Sequence, residues 1–162
     1  MNKFILTFFY IGLIKKAPGT FGSFAAVIFW ILVNYFLPKI NIFWPIFLII
    51  ITLYGCIFIK NYSRGSYNID DKSIVIDEVL GQILTLEVVF YYFNLEYNIF
   101  NQSNILIIFL CFMTFRFFDI IKIFPINIID QKFKTGFGVM LDDLMAAIFA
   151  IICSIIIITA IL

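Results

Sequence analysis

Ile74-Val75-Ile76-Asp77-Glu78-Val79-Leu80-Gly81-Gln82 sets two adjacent carboxylates inside a run that is otherwise as apolar as a membrane helix. A carboxylate within a membrane helix costs about 2.5 to 3.5 kcal/mol even on the lenient insertion scale, so charge in such a place marks a functional group with a cation nearby. Two further acidic interruptions follow. One is Asp119, in Phe115-Arg116-Phe117-Phe118-Asp119-Ile120-Ile121-Lys122; the other is the pair Asp142-Asp143, in Gly136-Phe137-Gly138-Val139-Met140-Leu141-Asp142-Asp143-Leu144. The expectation is that all three converge on one side of a bilayer.

The surroundings of these acids support a bilayer. Of the 162 residues, 64% are hydrophobic and 13% charged; soluble domains have about 45 to 50% and about 25%. The chain therefore reads as an all-α, polytopic membrane bundle forming a single domain over residues 1–162. A net charge of +1 leaves no basic surplus for nucleic acid, and the absence of histidine excludes Ser-His-Asp triads, histidine-based phosphatases and most zinc sites. Cys56, Cys111 and Cys153 sit in separate apolar runs without Cys-x-x-Cys spacing and read as core filler.

A span needs roughly 20 apolar residues, fewer where the bilayer thins. Five runs qualify, 21–37, 42–59, 79–95, 105–118 and 144–162, while 4–14 is too short and reads as an interfacial or half-helix. The 4–14 run lacks a small-residue cleavage pattern, so the chain is expected to keep its N-terminus. With that end inside, Lys3, Lys15, Lys16, Lys60, Arg64, Lys72, Arg116, Lys122, Lys132 and Lys134 all fall on the inner face and Lys39 alone outside, as the positive-inside rule asks. The acids follow the same partition except Glu96, in an outer loop, and Glu87, about 13 Å along the third span from Glu78 and near mid-membrane.

The third and fourth runs are short, about 26 and 21 Å of helix against a core of about 30 Å, so their charged ends should lie recessed at headgroup depth, where a phospholipid carries its phosphate. Arg116, Asp119 and Lys122 at i, i+3 and i+6 form one polar stripe able to hold a phosphate between two cations, or simply an ion pair that ends the helix. Asp77, Glu78, Asp142 and Asp143 would repel one another without a divalent cation. With oxygen ligands only, the hard ions Mg²⁺ and then Mn²⁺ fit. Ahead of the first span, Ala17-Pro18-Gly19-Thr20-Phe21-Gly22-Ser23 offers Thr20 or Ser23 as a cap and a helix N-terminus that attracts phosphate, with Lys15 and Lys16 behind it.

Taken in order, the 17–23 motif, Asp70 with Ile74 to Gly81, Phe115 to Lys122, and Gly136 to Asp143 resemble the phosphatidylglycerophosphatase A family. The resemblance implies an all-helical, Mg²⁺-dependent phosphatase of the bacterial inner membrane that converts phosphatidylglycerophosphate to phosphatidylglycerol. The chain departs from the family at Ile69, where histidine is common, at Ile123, where proline is common after the motif lysine, and at Ala147, where glycine is common.

On this reading Asp77, Glu78, Asp119, Asp142 and Asp143 hold one or two Mg²⁺ ions. Arg116, Lys122, Lys15, Arg64 and Thr20 bind phosphate oxygens, and Asp70 or Asp77 accepts a proton from water. No Asp-x-Asp nucleophile motif is present. Three rivals remain open at this point. A CDP-alcohol phosphotransferase lacks its Asp-Gly and Ala-Arg pairs here. A transporter or channel would need carboxylates at the midplane, where only Glu87 lies. A membrane scaffold would leave the acids unclustered.

Overall fold

The central element is helix α4, Ile76–Tyr92, eleven of whose 17 residues are buried. It packs against α2 (Pro18–Phe36), α3 (Phe43–Ser63), α5 (Gln102–Ile121) and α7 (Gly136–Ile161). Two short helices, α1 (Asn2–Leu6) and α6 (Ile126–Lys132), complete the set. The protein is represented by a computed structural model describing residues 2–37, 43–63, 72–96, 101–133 and 135–161, and no strand occurs among them. Lys39, Arg64, Asp70, Asp71 and Lys134 lie outside the described residues.

All-helical architecture follows from the sequence as expected, and each of the five apolar runs is a helix. Three of them, Pro18–Phe36, Gln102–Ile121 and Gly136–Ala160, are long and apolar enough to cross a membrane. Only 33 to 39% of their residues are buried inside the protein; the rest expose Leu106, Phe109, Ile152, Ile156 and similar side chains, a surface that water disfavours and lipid accepts. The apolar stretch of α3, Phe43–Ile59, is shorter. At 17 residues, α4 is about 25 Å long and is sheathed by its neighbours. That sheath lets it carry Asp77, Glu78 and Glu87 among apolar helices.

Some expected boundaries shift. Helix α5 has 20 residues, or about 30 Å, and is therefore not short. It begins earlier than residue 105 because Asn101 caps it, its side chain accepting from the Ser103 N–H at 3.2 Å, and it ends where Lys122 turns left-handed at φ 47°. The break needs no proline at position 123. Helix α7 starts eight residues before 144, so Asp142 and Asp143 stand within its second turn.

The 4–14 run is not one interfacial helix. Phe8, Phe9 and Tyr10 all have positive φ and reverse the chain after α1, leading into a 3₁₀ turn at Ile11–Leu13. The reversed segment docks on the residues ahead of α4: the Val75 N–H donates to the Leu6 carbonyl at 3.0 Å, and Gly12 lies so close to the Ser73 carbonyl that a Cβ there would collide with it.

Away from the acidic residues, several buried polar groups in the helices are paired, as a low-dielectric interior favours. Thr114 and Ser154 share a 2.8 Å hydrogen bond between α5 and α7. The Trp44 indole donates to Asn34 at 3.1 Å. Glu87, the mid-helix acid, accepts from the Trp30 indole of α2.

Candidate active site

Four helix ends meet at one end of the bundle. The first turn of α4 supplies Asp77 and Glu78, where acids complement the positive end of the helix dipole. The second turn of α7 supplies Asp142 and Asp143, and the last two turns of α5 supply Arg116 and Asp119. Asp77, Asp119, Asp142 and Asp143 are all at least nine-tenths buried. Oxygens of Asp77, Glu78 and Asp143 lie within 4.8 Å of one another.

Such an arrangement suits a cation. Three carboxylates this close repel, and two buried oxygens, Glu78 Oε2 and Asp142 Oδ1, have no hydrogen-bond partner, which costs about 1 to 3 kcal/mol for each unsatisfied group. An oxygen-only set of this kind fits a hard divalent ion of the Mg²⁺ type. Glycines permit the approach. A Cβ at Gly19 would run into the Glu78 carboxylate and lie 3.3 Å from Arg116 Nη2, and one at Gly81 would press on the Phe115 ring and lie 3.0 Å from the Asp143 carbonyl.

Arg116 ties α5 to α2. It pairs with Asp119 and donates from Nη1 to Ser23 Oγ and from Nη2 to Thr20 Oγ1, both at 3.3 Å. Thr20 and Ser23 therefore do not cap α2. Its N-cap is Ala17, which makes no side-chain cap bond, and Pro18 opens the helix, where a missing N–H is harmless. The helical stripe expected to run from Arg116 to Lys122 stops at Asp119, because Lys122 has already left the helix. Lys122 Nζ instead donates to Asp130 Oδ1 at 2.6 Å and to Asp142 Oδ2 at 2.7 Å. Burial works against its charge, but these two carboxylates outweigh burial and hold Lys122 above its ordinary pKa.

Between these groups lies a cavity of about 630 Å³, walled by Ala17 to Thr20, Lys72, Ile74, Asp77, Glu78, Arg116, Asp119, Ile120, Lys122, Asp130, Val139, Asp142 and Asp143. Six carboxylates face three cations there. The structure thus gathers Asp77, Glu78, Asp119, Asp142, Asp143, Arg116, Lys122 and Thr20 as expected. Lys15 is exposed and is not part of the wall, and Asp70 and Arg64 lie outside the described residues. Sequence reasoning missed Ser23, Asp130 and Lys72 as site residues. Ser23 is three residues from Thr20 and so on the same helix face, a signal hidden by its plausibility as a cap.

Comparison with known proteins bears on this geometry. A family model described as Phosphatidylglycerophosphatase A matches residues 4–158. The chain is 38% identical to Phosphatidylglycerophosphatase A of Haemophilus influenzae, covering 87% of this chain and 78% of the relative. It is 31% identical to the Escherichia coli protein of the same name, covering 85% and 72%. A Bacteroides thetaiotaomicron protein provisionally named a phosphatidylinositol-3-phosphatase is 29% identical, covering 84% and 80%. No solved structure matches the chain significantly.

Proposed function

The chain belongs to the phosphatidylglycerophosphatase A family and is a phosphatase, and from that premise we propose that it hydrolyses phosphatidylglycerophosphate to phosphatidylglycerol and phosphate, with Mg²⁺ as cofactor, at the cytoplasmic face of a bacterial inner membrane. The observation that carries this reading is the cluster of Asp77, Glu78 and Asp143 oxygens, the two aspartates buried, beside a guanidinium and an ammonium group in one cavity. The sidedness rests on the ten-to-one distribution of Lys and Arg. The five-span count rests on the same distribution, with α4 crossing inside the sheath of α2, α3, α5 and α7.

Asp77, Glu78 and Asp143 would hold the metal ion, which when bound neutralises phosphate charge and makes water a stronger nucleophile. The protein supplies the remaining parts. Lys122 has three N–H donors, two of them taken by Asp130 and Asp142, which leaves one for a phosphate oxygen. Arg116 likewise keeps its Nε–H free of any partner, and its pairing with Asp119 fixes the guanidinium plane. Attack by water on phosphorus releases one proton and breaks the bond to the glycerol oxygen, which must gain one. Asp142, whose Oδ1 is unpartnered, accepts the first, and solvent supplies the second, while Lys122, bonded to the other oxygen of the same carboxylate, stays protonated. Asp142 fits this role better than Asp77, whose Oδ1 already accepts the Glu78 N–H at 3.1 Å.

The test is phosphate release by purified protein. Activity on phosphatidylglycerophosphate is expected to fall about 100-fold with EDTA and to return with Mg²⁺ or Mn²⁺; an undiminished rate after chelation would remove the metal from the scheme. Phosphatidylinositol 3-phosphate, suggested by the name of the Bacteroides relative, serves as the comparison substrate and is expected to be the poorer one.

A coupled transporter would depend on Glu87, the one acid near mid-membrane. Glu87→Gln retains an acceptor for the Trp30 indole, so phosphate release is expected to stay within about twofold of the parent rate. A loss of tenfold or more would place Glu87 in the working machinery.

A further inference from the structure

Of the three cations on the cavity wall, two are already bound by carboxylates: Arg116 by Asp119, and Lys122 by Asp130 and Asp142. Lys72 has no ion pair among the described residues, yet it lines the same cavity. It is also exposed, whereas Asp77 and Asp143 are buried, so it stands at the mouth of a site whose reacting groups lie at the bottom. A substrate with its phosphomonoester at the buried carboxylates has the rest of its headgroup pointing outward. In the substrate proposed above, that outward portion contains a second phosphate, the phosphodiester, one glycerol bridge away.

Resting on that reading of the reaction, we propose that Lys72 is a specificity-determining residue that binds the phosphodiester of the lipid headgroup, forming a second phosphate subsite separate from the one where hydrolysis occurs. The charge balance favours this assignment. A cation held by a carboxylate adds little net attraction for a distant anion, while one at the rim with no ion pair among the described residues attracts the second negative group and orients the headgroup as it enters. Lys72 also precedes Asp77 by only five residues, through a segment fixed by the Val75 to Leu6 backbone hydrogen bond, so its Cα is positioned relative to the catalytic carboxylates.

The two products probe the two subsites separately, because phosphatidylglycerol carries only the diester and inorganic phosphate only the other group. In Lys72→Gln, the KM for phosphatidylglycerophosphate and the inhibition constant of phosphatidylglycerol are both expected to rise about fivefold, the scale of one exposed charge contact. The inhibition constant of inorganic phosphate should move by less than twofold, and kcat should change less than KM. Lys72→Arg is expected to restore most of the loss. Equal weakening of both inhibitors would place Lys72 at the reacting phosphate, and no change in either would give it no role in recognition; both results overturn the assignment. Parent protein that releases no phosphate from phosphatidylglycerophosphate would instead overturn the proposed reaction, and this subsite with it.

Discussion

Asp143→Asn is expected to lower phosphate release by at least about 100-fold while making the divalent-free protein more resistant to heat. The first effect follows from the loss of one of three oxygens that lie within 4.8 Å of each other, since a phosphoryl-transfer site works by positioning and charge neutralisation. The second follows from the same closeness: with no cation present, Asp77, Glu78 and Asp143 disfavour one another, and an amide relieves the repulsion. A gain of about 1 kcal/mol corresponds to about 2 to 4 °C for a chain of this size. Adding Mg²⁺ should reverse the ranking, because the parent gains stability from binding the ion and the variant gains much less. Thermal unfolding in detergent with and without EDTA, run beside the activity assay, measures both effects. A variant retaining more than one-tenth of the parent rate, or melting lower than the parent in EDTA, would contradict the cluster as described.

Arg116→Ala is expected to fail differently, by losing activity and stability together. The guanidinium is only 13% exposed and its partner Asp119 only 11%, so its removal leaves a buried carboxylate alone and deprives Ser23 and Thr20 of a donor across the α2 and α5 contact. Breaking a buried pair from one side costs about 3 to 5 kcal/mol, or about 10 °C of melting temperature. Arg116→Lys keeps the charge but cannot span three acceptors, and should restore much of the stability while leaving activity about 100-fold down. The double replacement Arg116→Leu with Asp119→Leu should melt higher than Arg116→Ala, because no charge is stranded. A single Arg116→Ala variant as stable as the parent would show that Asp119 needs no partner.

The carboxylates were legible in the sequence because each is an anomaly: Asp77, Glu78, Asp119, Asp142 and Asp143 interrupt apolar runs, and hydrocarbon tolerates charge only for a reason. Their shared pocket was legible too, since the apolar runs fix which helix ends lie together. What could not be read is how the cations are held. Lys122 belongs by spacing to the Arg116 stripe, but its left-handed backbone carries it off the helix toward Asp130 on α6, a seven-residue helix with little periodic signal. Ser23 looks like a cap until Pro18 is seen to open the helix without one. The fold-back at Phe8 to Tyr10 was also hidden, because three consecutive aromatic residues at positive φ run against local preference and depend on contacts with residues some 65 positions later.

Helix α7 also couples the pocket to the rest of the bundle. It carries Asp142 and Asp143 and packs against α3, α4, α5 and α6, so a shift of this one helix moves both carboxylates together relative to Asp77 and Glu78. Substitutions that alter the seating of α7 therefore register at the cavity without touching any residue that lines it.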